Sequence, residues 1–114
     1  MNINKLAWEK MDKLIPAIVQ DAFDGRVLMQ GFMNRQALEA TLESGKVTFW
    51  SRTREQLWSK GETSGNFLNI CQVLTDCDQD SLLVACRPIG PSCHLGTESC
   101  FPEQKLTQQN FLSE

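Results

Sequence analysis

Asp24 and Gly25 separate two apolar runs, PAIVQDAF and RVLMQGF, within residues 15–32. An Asp-Gly step reverses the chain at little steric cost, so the runs are expected as the arms of a β-hairpin with a tight turn. Asn34 stands where an N-cap belongs, since its side-chain oxygen can accept a first-turn backbone N–H; a helix through Glu43 should follow. Ala37, Leu38, Thr41 and Leu42 share one face of that helix, and Gly45 suits its stop. Residues 46–51 read as a strand with Val47 and Phe49 on one side and Thr48 and Trp50 on the other. Residues 67–75 and 82–87 read as two further strands flanking DCDQDS. Residues 51–66 read as a polar segment, and the chain from Gly90 as loop, with Pro88, Pro91 and Pro102 opposing regular structure. The tail beyond Phe101 lacks strong patterning and is expected to be partly disordered. The pattern is strand-rich with at least one helix, without repeats, low-complexity tracts or linkers.

The chain has 114 residues, of which 41% are hydrophobic and 22% charged, a balance that supports one small folded domain rather than a disordered chain. A net charge of −3 disfavours general nucleic-acid binding, which needs a basic excess, but leaves room for one local anion pocket. No apolar run is long enough to span a membrane, and MNINKLAWEK has no apolar core of a signal peptide, so a cytoplasmic protein is expected. In that reducing compartment Cys71, Cys77, Cys86, Cys93 and Cys100 are expected as thiols or metal ligands rather than disulfides.

In an extended backbone Asp76, Asp78 and Asp80 of DCDQD project to one face, where crowded carboxylates call for a neutralising cation. Hard oxygen donors suit magnesium or calcium. The plainer alternative is a solvated acidic turn. An EF-hand does not fit, because loop position six is Ser81 and position twelve is Arg87. Cys77 projects to the opposite face, free for a softer metal.

Cys93 and Cys100 in PSCHLGTESC are seven positions apart, and Cys77 lies sixteen before Cys93. Three thiolates and one open position make a reasonable catalytic zinc site, at which bound water ionises near neutrality. The spacing fits equally two buried cysteines beside a surface histidine, since no CxxC pair is present. His94, the single histidine, is either a general acid–base group or a fourth zinc ligand. Cys71 and Cys86, inside strands, read as small core residues.

Arg52, Arg54 and Lys60 surround Trp58 and precede Gly61, Ser64 and Gly65. Such residues can grip phosphate through guanidinium forks, an ammonium and close backbone N–H groups, and Trp58 can stack on a base or pack in the core. The segment is not a Walker loop. Glu62 is expected to pair with a nearby basic residue, the alternative being to help orient water.

These three clusters occur in one order, and with VLMQGFMN (27–34), ALEATLESGKVTFWSRTREQLWSKGETSGN (37–66), DCDQD (76–80) and GPSCHLGTESCF (90–101) the chain resembles the phosphoribosyl-AMP cyclohydrolase family. It departs modestly, at Gln30-Gly31-Phe32, where a tyrosine-containing variant is frequent, and at Trp50. The resemblance implies an α+β fold, strand-rich, with a compact mixed sheet or pseudo-barrel and one or two helices, intertwined as a homodimer. It implies zinc at Cys77, Cys93 and Cys100, completed between two subunits, and magnesium at Asp76, Asp78 and Asp80. In many bacteria this domain is fused to a phosphoribosyl-ATP pyrophosphatase; the present residues are expected as one cyclohydrolase domain, core about 6–101 and tail 102–114.

The implied reaction is hydrolysis of the N1–C6 bond of the adenine ring of phosphoribosyl-AMP in histidine biosynthesis. His94 would move the proton, while Arg52, Arg54, Lys60 and Ser64, with Trp58, would hold the substrate. A purine deaminase is a poorer match, because His94 is followed by Leu95-Gly96 rather than H-x-E and no PCxxC occurs. A non-catalytic zinc-stabilised binding module would have a closed metal site and unfold on metal removal.

Overall fold

The structure, a computed structural model, describes residues 2–102, 106 and 107. The expectation of a disordered tail therefore falls almost entirely outside the described residues.

The chain forms β1 (Ile15–Asp21), β2 (Val27–Met33), α1 (Arg35–Ser44), β3 (Thr48–Ser51), β4 (Gln56–Ser59), β5 (Leu68–Thr75) and β6 (Leu82–Pro88), preceded by a short 3-10 turn at Ile3–Lys5. Four strands make an open mixed sheet in the order β2-β1-β6-β5, with β1 and β6 parallel and the outer pairs antiparallel. β3 and β4 form a separate two-stranded ribbon. The sheet does not close, so the architecture is the compact mixed-sheet form of the expected α+β fold, not the pseudo-barrel.

The first hairpin forms, but its connection is longer than the Asp-Gly pair suggests. Residues 22–26 bridge the arms, with the Asp21 N–H donating to Arg26 O at 2.7 Å and a bulge at Val19/Gln20. The Asp21 and Asp24 carboxylates accept loop N–H groups, and Gly25 takes the positive φ of +79°. Asp24 thus caps the loop instead of forming half of a two-residue turn.

The helix begins where Asn34 Oδ1 accepts the Ala37 N–H at 2.8 Å and ends at Gly45, whose φ of +75° needs glycine. Ala37, Leu38 and Thr41 are buried as expected, but Leu42 is 40% exposed. A ten-residue helix resting on so narrow a ribbon leaves the flank of its stripe open.

Thr41 explains why β3 is buried on both of its faces. Its hydroxyl donates to Ala37 O and accepts the Thr48 N–H, both at 2.9 Å, while Thr48 Oγ1 meets Ser59 Oγ at 3.0 Å. Thr48 is therefore as enclosed as Val47 and Phe49, and β3 is covered on both sides. β4 lies within the stretch read as a polar segment: a four-residue strand there carries too few apolar positions for a period to register.

The core sits between the sheet and the helix–ribbon layer. Ile15, Ala17 and Val19 from β1, Leu82, Val84 and Cys86 from β6, and Phe49 are all nearly inaccessible. Cys71 is exposed, contrary to the core reading. The register slips between Ile70 and Gln72, so Cys71 sits at a bulge that turns it out of the sheet, while Cys86 stays buried.

Candidate functional site

The DCDQD segment becomes the β5–β6 turn. Asp76 acts as its staple: one carboxylate oxygen accepts the N–H groups of Asp80 and Ser81 at 2.9 and 3.1 Å. Gln79 takes a φ of +62°, which swings Asp78 and Asp80 back toward Asp76. Oxygens of all three carboxylates lie within 4.8 Å of one another, making the one such group of potential metal ligands found among the described residues. Hard oxygens at that spacing fit a divalent cation such as magnesium.

Burial works against the Asp76 charge, but hydrogen bonds from Asp80, the Ser81 and Asp80 N–H groups and Asp78 outweigh it and lower this carboxyl. Lys10 pulls Asp80 down, yet Asp76 and Asp78 push harder, so Asp80 ends above its ordinary value. Crowded like charges thus share protons unequally. Lys10 Nζ donates to Asp78 at 3.1 Å and to Asp80 at 2.8 Å, and these bonds hold its own pKa above the usual lysine value. The Ala7 N–H donates to Gln79 O at 2.8 Å, fastening the N-terminal segment to the same turn. Lys10 carries no sequence signal, since its partners lie about seventy residues away.

Residues 90–101 fold as a loop strapped along β2, the edge strand. The Cys100 N–H donates to Leu28 O at 2.7 Å and the Ser99 hydroxyl to Val27 O at 2.7 Å, with Arg26 paired to Glu98 at 2.8 Å. Inside the loop, the Cys93 N–H donates to Thr97 O at 3.1 Å. This strap brings Cys93 and Cys100 near enough for each thiol to act on the other's ionisation. The Leu95 N–H, then Thr97, lowers Cys93, whereas burial, then Cys93 itself, raises Cys100. The two thiols are thus pushed in opposite directions, and soft sulfur donors of this kind could hold a zinc-like cation. His94 is exposed beside them, and the buried Ser92 hydroxyl has no hydrogen-bond partner among the described residues.

Cys77 does not join this pair. It lies in the β5–β6 turn, at the end of the sheet where β6 begins, whereas Cys100 hangs on Leu28 at the opposite end and on the far edge. Three strand spacings across and about four residues along separate them, roughly 20 Å. One chain thus supplies two separate donor sets: Cys93 with Cys100, and the aspartates with Cys77.

The basic residues are also divided. Arg52 and Arg54 occupy the tip of the β3–β4 hairpin, beyond the Ser51–Gln56 pair, with the Arg52 guanidinium 4.0 Å from the Phe32 ring centroid. Lys60 follows the Thr48–Ser59 pair at the hairpin's other end and is 7% exposed. Ser64 is exposed in the next turn, where its hydroxyl accepts the Asn66 N–H at 3.2 Å. Trp58 packs against Phe49 with ring centroids 5.6 Å apart while one face stays open. Glu62 forms no ion pair among the described residues.

The family model described as phosphoribosyl-AMP cyclohydrolase matches residues 29–102, which include the β3–β4 hairpin, the aspartate turn and the cysteine strap. The chain belongs to this family. It is 64% identical over 97 residues to the histidine biosynthesis bifunctional protein HisIE of Escherichia coli (strain K12), covering 85% of this chain and 48% of that protein. It is 60% identical over 99 residues to the HisIE protein of Yersinia pestis, covering 87% of this chain and 48% of the relative. The chain spans about half the length of these curated relatives. No helix among the described residues is long and apolar enough to cross a membrane.

Proposed function

We propose that this chain hydrolyses the N1–C6 bond of phosphoribosyl-AMP, the cyclohydrolase step of histidine biosynthesis. The carrying observation is the strapped Cys93–Cys100 pair with His94 exposed beside it, in a chain that belongs to the cyclohydrolase family. Cys93 and Cys100 would hold zinc together with Cys77 of a second copy. The corner-to-corner separation within one chain supports that sharing, and so a homodimer. When bound, zinc supplies Lewis-acid activation of water at near-neutral pH.

In the reaction an oxygen–C6 bond forms and N1–C6 breaks. The oxygen becomes the carboxamide carbonyl, the exocyclic nitrogen stays on C6, and a proton passes to N1. His94, exposed beside the thiols, takes the proton from water and returns one to N1. Asp76, Asp78 and Asp80 would hold magnesium, countering phosphate charge. Arg52, Arg54, Lys60 and Ser64 bind the substrate's anionic groups, and the open face of Trp58 stacks on its base.

An ultraviolet time course with phosphoribosyl-AMP, with and without a zinc chelator, tests this reading. Chelator-sensitive conversion to the ring-opened product is expected. No conversion by folded, zinc-loaded protein would overturn it in favour of a binding module.

A further inference from the structure

The face of the four-stranded sheet turned away from the helix and ribbon carries no charge across its middle. Alternation puts Ile15, Ala17 and Val19 of β1 and Leu82, Val84 and Cys86 of β6 in the core, and so turns Pro16, Ile18, Gln20, Leu83 and Ala85 to the other side. Strand register joins these into rows. Gln30, Ile18, Leu83 and Leu74 lie side by side across β2, β1, β6 and β5. On one flank Phe32 pairs with Pro16; on the other Gln20, Ala85 and Gln72 are neighbours. Ile18 is 40% and Leu74 41% exposed, and Leu83 is half-buried. The first charges met are at the ends of the face, Arg87 on β6 and Arg52 against the Phe32 ring. A sheet face that meets water carries polar and charged side chains, whereas an apolar centre depleted of charge marks the middle of a protein interface.

The corners of the sheet select the occupant of this face as a second copy of the chain. Cys77 and the Cys93–Cys100 pair stand at diagonal corners, about 14 Å apart across the strands and about 13 Å along them. Because these legs are nearly equal, a two-fold axis lying between two stacked sheets, along the other diagonal, exchanges the corners. The Cys77 turn of each copy then lies against the strap of the other. The same axis makes the strands of the two sheets cross at about 90°, the orthogonal mode of sheet packing. Joining copies by their edges does not do this: a two-fold at β2 or at β5 leaves each Cys77 at least about 14 Å from the other copy's pair. Both edges are also partly covered. The strap lies along β2, and at the start of β5 the Val47 N–H donates to Leu68 O at 3.0 Å and the Ile70 N–H to Gly45 O at 2.8 Å.

We infer that this uncharged face, centred on Ile18, Leu83 and Leu74, is the surface on which two copies stack with crossed strands. The inference rests on the cyclohydrolase reading above, in which a second copy supplies Cys77, and it fixes how that copy sits.

The test measures oligomeric state by analytical ultracentrifugation, zinc per chain and thermal midpoint for wild type, Ile18→Lys, Leu83→Arg and Leu42→Lys. Leu42 is as exposed as Ile18 but lies on the helix, in the opposite layer. Wild type should be a dimer. Ile18→Lys and Leu83→Arg each bury two added like charges per dimer, so each should raise the dissociation constant by about a hundredfold or more and lose zinc with the dimer. Leu42→Lys should change neither. Methyl NMR of wild type with a soluble paramagnetic probe gives a reading that needs no variant: Ile18, Leu74 and Leu83 should be shielded, and Leu42 and Leu95 broadened. Both face variants dimeric with full zinc, or those three methyls broadened in a wild-type dimer, would overturn the inference and leave a shared zinc site standing. Shielded methyls in a monomer would assign the face to residues 103–114 and overturn it also. A wild-type monomer with full zinc that converts phosphoribosyl-AMP would overturn both the stacking and the sharing. A dimer stacked as described that converts nothing would overturn the cyclohydrolase reading alone.

Discussion

Replacing Gly31 with alanine should destabilise the protein, although the same exchange in an unobstructed strand would stabilise it. Gly31 lies inside β2, paired with Ala17 of β1, and has no positive φ that demands glycine. On conformational entropy alone, Gly31→Ala would gain roughly 0.5–1 kcal/mol. The obstacle is Phe49. A Cβ on residue 31 would stand 2.5 and 2.7 Å from Phe49 Cδ1 and Cε1, against roughly 3.5–4 Å for carbons in comfortable contact. Phe49 is 1% exposed and backed by Trp58, so its ring cannot simply swing aside. Overpacking of this kind costs about 1–3 kcal/mol, and the net loss should be about 1–2 kcal/mol. For 114 residues the unfolding entropy is about 0.24 kcal/mol/K, so the midpoint should fall by about 4–8 °C. The assay is thermal unfolding followed by circular dichroism at fixed protein concentration, for Gly31→Ala, Phe49→Leu and the double variant. Because the Phe49→Leu exchange vacates the space of the ring edge, the double variant should be more stable than the sum of the single effects predicts, by about 1 kcal/mol or more. A midpoint for Gly31→Ala equal to or above wild type would refute the reasoning.

Thr41→Val should cost about 1–3 kcal/mol, because it leaves the buried Thr48 N–H without an acceptor; urea unfolding should show a lower midpoint with an unchanged slope. Burial, helped by Cys71 and Asp21, pushes the Cys86 thiol up to about 12, so a thiol reagent at pH 8 should label exposed Cys71 and Cys77 and reach Cys86 only in denaturant. Since unfolded Cys86 ionises near 9.0, its neutral burial stabilises the fold below that pH, and this contribution should fade as pH rises from 9 towards 12 in alkaline unfolding curves. Lys10→Met removes a tethered cation from Asp78 and Asp80, so Mn²⁺, followed by electron paramagnetic resonance as a stand-in for magnesium, should bind the variant more tightly than wild type; equal or weaker binding would count against the aspartates as a cation site.

Much of this protein is written in short-range chemistry. Asp24-Gly25 marks the hairpin, Asn34 and Gly45 bound the helix, and DCDQD yields converging carboxylates, because turns, caps and strand faces depend on residues a few positions apart. The cysteine cluster stood out in the sequence as a candidate ligand set, and the order of motifs placed the chain in its family. The lapses share a cause: they turn on what lies across from a residue. Leu42 is exposed because the ribbon beneath the helix is narrow, and Cys71 is turned out by a bulge opposite Cys86. β4 exists through its pairing with β3, not through any apolar period of its own.

The site follows the same division. The sequence by itself determined which donors the chain carries: soft thiols, hard carboxylates, a histidine and a set of cations. Tertiary structure alone decided their company. It joined Cys93 to Cys100 by tying residues 99 and 100 to β2, sent Cys77 to the opposite corner of the sheet with the aspartates, laid Lys10 on Asp78 and Asp80, and parted Lys60 from Arg52 and Arg54. Side-chain chemistry is a property of each residue, whereas burial and partnership depend on contacts between residues distant in sequence, which exist only once the sheet has assembled.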